Sequence, residues 1–163
     1  MSLPLFIDFE ASSLSGKSYP IEVAWSDQEG QIESWLINPE HYPASWTDWD
    51  PRSERIHGLS RAYLVEHGKP PLMVAKRMNQ QLQDQVLYSD APEYDGVWLR
   101  RLFEAAGVNP EFRVANATKL LHSLHPEYVR FSEKAREKAG GIHRAACDVR
   151  YLVALYRFCL YNP

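Results

Sequence analysis

Cysteine is nearly missing from this chain: 163 residues contain two, Cys147 and Cys159. Both fall inside one apolar helical pattern, which excludes a disulfide framework and reads as two buried free thiols. No apolar run is long enough to span a bilayer, and no secretion signal is recognisable, so the chain reads as cytoplasmic with no membrane partner. Positive charge is not in excess either, with 18 Lys and Arg against 21 Asp and Glu. A net charge of −3 excludes a protein that coats nucleic acid through a broad basic surface. It does not exclude an enzyme that grips a few phosphates locally. Repeats, low-complexity stretches and linkers are also lacking, so residues 1–163 read as a single domain, long enough to build a core.

The remaining composition is that of an ordinary globular protein, 45% hydrophobic and 24% charged. Leu3 to Glu10 is apolar and β-prone, as a central strand should be. Ile21 to Trp25 and Gln31 to Ile37 alternate around Asp27-Gln28-Glu29-Gly30, which predicts a hairpin. Asn38 to Arg55, rich in Pro, Trp and Asp, reads as an irregular loop. Beyond it the pattern predicts helices over Met73–Leu82, Tyr94–Ala106, Glu127–Ala139 and His143–Cys159. Short strands are expected at Val86–Tyr88 and Phe112–Ala115. Three antiparallel strands followed by alternating helices and strands define an α/β fold, a mixed sheet flanked by helices.

Acidic residues then stand where folding should resist them. Asp8 and Glu10 end the first apolar run, and residues two apart on a strand share a face, roughly 6.6 Å apart. Such a pair suits two cations held ~4 Å apart, although strand ends also carry plain solvated acids. Asp95 shares a helical stripe with Leu99, Leu102 and Ala106, and Asp148 shares one with Leu152, Leu155 and Cys159. Buried carboxylates cost several kcal/mol each unless a cation compensates them. Asp95 also reads as a capping or dipole residue, and Asp148 as the partner of Arg144 four residues earlier. His143 lies five residues before Asp148, about 140° around a helix, so the two cannot share a helical face. After Gly140-Gly141 it reads instead as a loop or helix-start residue able to swing toward the acids and take a proton from water.

Two further patterns fall short of a site. Ser15-Gly16-Lys17-Ser18 ends like a phosphate-binding loop, but Ala11 stands where the first glycine belongs and a strand pattern follows. His122 and His125 have no matching Cys or His pair for zinc. Arg100, Arg101, the Lys134-Ala135-Arg136-Glu137-Lys138 run and Arg144 are candidate phosphate contacts. Phe9, Trp46, Trp49, Tyr94 and Trp98 are candidate stacking residues, with core packing the simpler reading for Trp98.

The set Asp8-Phe9-Glu10, Asp95, and His143 with Asp148 resembles the three motifs of the DEDDh (DnaQ-like) 3′→5′ exonucleases. Ile37-Asn38-Pro39 and Ile56-His57-Gly58-Leu59-Ser60 add to the likeness, which runs from residue 5 to about 155. The resemblance implies a ribonuclease H-like mixed five-stranded sheet. It implies two divalent cations, Mg²⁺ or Mn²⁺, held by Asp8, Glu10, Asp95 and Asp148, with His143 as general base. The substrate would be a single-stranded RNA or DNA 3′ end, RNA slightly favoured because the chain is compact, and the product a nucleoside 5′-monophosphate. Phe9, Ala11, Ser12, Ser13, Leu14, His57 and Tyr94 would bind the terminal nucleotide. A homodimer and a monomer both occur in the family. Two positions depart from its pattern: Asp90-Ala91 replaces a common His-Asn, and Ser13 a common Gly. The alternative is a non-catalytic nucleic-acid- or protein-binding module of the same fold, but such members lose acidic ligands and this chain keeps all five motif residues.

Overall fold

A computed structural model of the chain describes residues 2–41, 46–141 and 143–161. Its strands are β1 (Leu5–Ala11), β2 (Pro20–Ser26), β3 (Ile32–Leu36), β4 (Val86–Ser89) and β5 (Arg113–Asn116). Its α-helices are α1 (Pro51–His57), α2 (Arg61–His67), α3 (Pro71–Leu82), α4 (Pro92–Ala106), α5 (Ala117–Leu124), α6 (Ser132–Ala139) and α7 (Ala145–Tyr161). The sheet order is β3-β2-β1-β4-β5, antiparallel from β1 to β3 and parallel from β1 through β4 to β5. This is the expected mixed α/β sheet of five strands.

Alternation along β1 decides where the acids go. Leu5, Ile7, Phe9 and Ala11 pack into one core with Met78, Leu82, Leu99 and Leu102 from α3 and α4. Phe6 points the other way, into a second core with Ala145, Val149 and Leu152 of α7. Asp8 and Glu10 keep the parity of Phe6, so they face α7. On β2 the same parity sends Ala24 into the α7 core and Glu22 into the same layer.

Several elements depart from the sequence pattern. The stretch expected to be loop contains a 3₁₀ turn at Pro39–His41 and the start of α1. Asp50 caps α1 by accepting the Arg52 amide, with Pro51 at the first helical position, where its missing N–H costs nothing. Residues 42–45 of that stretch lie outside the described residues. Helices α2 and α5, capped by Ser60 and Asn116, had no predicted counterpart. The predicted Glu127–Ala139 helix divides into a 3₁₀ turn at Tyr128–Phe131 followed by α6. The last helix begins at Ala145, leaving His143 outside it. Cys147 and Cys159 are free, as expected, but only Cys159 is buried. Among the described residues no helix is long and apolar enough to cross a membrane.

One glycine has a steric task. Gly68 ends α2 where Ile37 bridges Lys69, and a Cβ there would collide with the Leu64 carbonyl and sit 2.6 Å from the Asn38 nitrogen. Backbone on both sides leaves nothing to yield cheaply. Gly68→Ala is expected to cost about 2 kcal/mol or more, lowering the melting temperature by roughly 4–8 °C in a thermal scan. An unchanged melting temperature would show that α2 shifts freely.

Candidate active site

Three carboxylates converge where β1 ends against the first turn of α7. One oxygen each from Asp8, Glu10 and Asp148 can be chosen so that all lie within 4.8 Å of one another. They line a pocket of about 460 Å³ with Phe9, Asp90, Arg136 and His143. The donors are hard oxygens on two rigid elements, which suits a small divalent cation such as Mg²⁺ or Mn²⁺.

Asp95 approaches from beneath. It is 1% exposed, accepts a 2.6 Å hydrogen bond from the Ser89 hydroxyl and another from the Phe9 backbone N–H. Its carboxylate is not one of the three converging groups, but its charge is the strongest of the neighbouring acids' on Asp8.

Burial and crowding raise several carboxyls of this cluster. Burial first, then the charges of Asp95, Asp148, Glu10 and Asp90, push the Asp8 carboxyl well above the usual range. Glu10 rises to about 8, through burial, Asp148 and Glu22, with Arg144 opposing. Asp95 rises to about 7, chiefly by burial and against the Ser89 hydrogen bond. Burial and Asp148 also raise Asp90, although its side chain reaches solvent at the pocket rim.

Two arginines are arranged differently from the local spacing. Arg144 does not pair with Asp148; its guanidinium takes Glu22 in a two-pronged contact, 2.9 Å on each prong. Glu22 also accepts the Ala145 amide at 3.3 Å, tying the start of α7 to β2. A two-pronged pair with a buried carboxylate outweighs a contact one turn away on the same helix. Asp148 is paired instead with Arg136 of α6, whose guanidinium lies 3.7 Å from the Tyr151 ring centre. In the sequence pattern Arg136 is one member of the Lys134–Lys138 basic run. The signal for Glu22 was an acid within the apolar run Ile21-Glu22-Val23-Ala24-Trp25, which folds as a fully buried strand.

His143 sits exposed on the pocket wall with φ +55°, just before α7. Leu14 is 71% exposed and Tyr94 half exposed, as residues that meet a base should be. Phe9 is buried but lines the pocket. Ala11 and Ser12 are buried, and Ser12 has its amide and carbonyl engaged by Tyr19 and Asp50. The Ser13 hydroxyl is spent on Asp48 and the Ser15 amide. His57 does not line the pocket. Its Nδ1 accepts the Leu59 amide at 3.1 Å, and its buried Nε2 has no hydrogen-bond partner among the described residues. Burial lowers its basicity, so Nε2 carries the proton of a neutral ring.

The three tryptophans among the candidate stacking residues do not form an open surface. Trp46 is buried and stacked on Tyr19, with ring centres 5.1 Å apart, and Trp49 donates to Glu54 at 2.6 Å. Trp98 is core, its indole donating to Ser18 at 3.0 Å. The Ser15–Ser18 turn leads into β2 rather than a helix, so the phosphate-loop pattern fails structurally as well.

Sheet order, strand directions and the flanking helices define a ribonuclease H-like mixed α/β fold. Solved structures of exonuclease I are among those whose fold it resembles. One exonuclease I structure matches with a TM-score of 0.71 and 16% identity, over 97% of this chain and 43% of that one. E. coli exonuclease I bound to a dA16 oligonucleotide matches at 0.67 and 16%, over 95% and 40%. The zinc-bound form of its complex with single-stranded DNA matches at 0.64 and 16%, over 96% and 39%. The chain therefore spans about two fifths of the exonuclease I chains it matches. No family model matches the chain, and no curated protein does.

Proposed function

We propose that the protein is a metal-dependent 3′→5′ exonuclease of the DEDDh type, acting on single-stranded nucleic-acid ends and releasing nucleoside 5′-monophosphates. The convergence of Asp8, Glu10 and Asp148 in a pocket that also holds His143 carries this reading. Two Mg²⁺ or Mn²⁺ ions, held by these three acids with Asp95 behind Asp8, would supply an activated water and charge neutralisation at the scissile phosphate. The other roles belong to the chain's own groups. The His143 imidazole, free of the helix, takes the proton from the attacking water. Leu14 and Tyr94 present exposed apolar surface to the terminal base. His57, buried outside the pocket, accepts the Leu59 amide and packs beside Trp49, so it holds the turn between α1 and α2 rather than contacting substrate. Ser12 and Ser13, already hydrogen-bonded within the protein, shape the turn rather than contact substrate.

The oligonucleotides in the similar structures are DNA, so single-stranded DNA stands beside RNA as a substrate. The RNA preference rests on compact size alone. End-labelled DNA and RNA oligomers incubated with the protein and Mn²⁺ should shorten stepwise from the 3′ end, leaving 5′-monophosphates on chromatography. Intact ladders for both, with oligomer binding retained, would instead identify a non-catalytic module.

A further inference from the structure

The geometry points to Arg136 as a substrate-binding residue: freed from Asp148 when metal binds, it grips a phosphate of the incoming strand, with Asp90 steering it. This rests on the exonuclease reading above. Arg136 is the one permanently charged cation among the described residues that line the catalytic pocket. Its stem rises from α6 and its guanidinium stacks on Tyr151 at 3.7 Å, so the head group is held at the pocket even without its ion pair. The side chain is 38% exposed, within reach of a ligand.

Its present partner is the reason it must move. Asp148 belongs to the converging carboxylates, and a cation bound there repels a guanidinium on the same oxygens. Asp90, on the same pocket wall and outside the ligand cluster, is then the carboxylate left to hold it. Arg136 and Asp90 are within electrostatic range of one another but not in ion-pair contact among the described residues. A planar guanidinium beside a metal-neutralised acid cluster matches phosphate oxygens in a fork that a lysine cannot reproduce. The pairing also gives Asp90 a role: alone it would only repel the strand, but with Arg136 it orients a cation toward it.

Binding of a fluorescent single-stranded DNA oligomer, measured by anisotropy in Ca²⁺ across a salt series, tests this. Arg136→Gln should weaken binding about tenfold and lower the salt slope by about 0.7, one phosphate contact on a single strand. Arg136→Lys should restore the slope and part of the affinity, which a purely structural role would not do. In Mn²⁺ the Gln variant should raise KM with kcat within about threefold. Asp90→Asn should weaken binding less than Arg136→Gln and add nothing to it in the double variant. Wild-type affinity and slope in Arg136→Gln would overturn the proposal while leaving the nuclease intact. Tighter binding by Asp90→Asn would overturn the steering role. A wild-type protein that neither binds nor cuts would overturn the exonuclease reading, and this one with it.

Discussion

Asp8→Asn should abolish hydrolysis, with kcat/KM falling roughly 10³-fold or more, and should at the same time raise the melting temperature of the metal-free protein. The first effect follows from removing charge aimed at the reacting phosphate, where losses of that size are usual for single groups. The second follows from the cluster itself. Asp8 is surrounded by Asp95, Asp148, Glu10 and Asp90 at the end of a buried strand, and burial already disfavours its charge. An amide keeps the shape and removes one member of a repelling group. A structural acid behaves oppositely: Glu22 satisfies Arg144 and the Ala145 amide, so Glu22→Gln should lower stability. Activity assays paired with thermal scans of both variants in EDTA check the contrast. Loss of stability in Asp8→Asn would mean that Asp8 is held by partners rather than poised for a cation.

Much of this site was legible because it depends on local periodicity. Parity along β1 put Asp8 and Glu10 on the face of Phe6, and that face meets α7. The 140° separation already placed His143 off the face of Asp148, and the structure starts α7 two residues after it. What failed was decided by distant contacts. Arg144 has an acid one turn away, yet it pairs with Glu22, 122 residues distant, because β2 presents a buried carboxylate there. Trp46 and Trp49 sit in a polar stretch, but Tyr19 and Glu54 claim them. Helix α1 was masked by its own start signal, since Asp50-Pro51 belongs as readily to a loop as to an N-terminus. The acid that the pattern made equal to the others, Asp95, takes a different station, buried against Ser89 and the Phe9 amide.

The raised carboxyls also fix the sign of the pH dependence. Glu10 stands at about 8 against an ordinary 4.5, and Asp95 at about 7 against 3.8. Between those limits the metal-free folded protein keeps protons that the unfolded chain releases. The folded state binds more protons, so stability falls as pH rises. The stabilising contribution is therefore complete below about pH 4 and is lost by about pH 8. Each retained proton contributes a slope of up to about 1.4 kcal/mol per pH unit across its own window. Glu33 works in the opposite direction, because Arg77 and Trp35 lower it, and that contribution is lost only as pH falls below the ordinary 4.5. Denaturant melts in EDTA should thus show stability declining from pH 5 to 8. With saturating Mn²⁺ the decline should vanish or reverse, since bound cations displace the same protons and bind more tightly as pH rises. Glu10→Gln should flatten the EDTA profile in its upper range without altering the acid limb set by Glu33. A profile flat in EDTA, or unmoved by Mn²⁺, would mean that these acids do not form the metal-poised cluster on which the proposed chemistry depends.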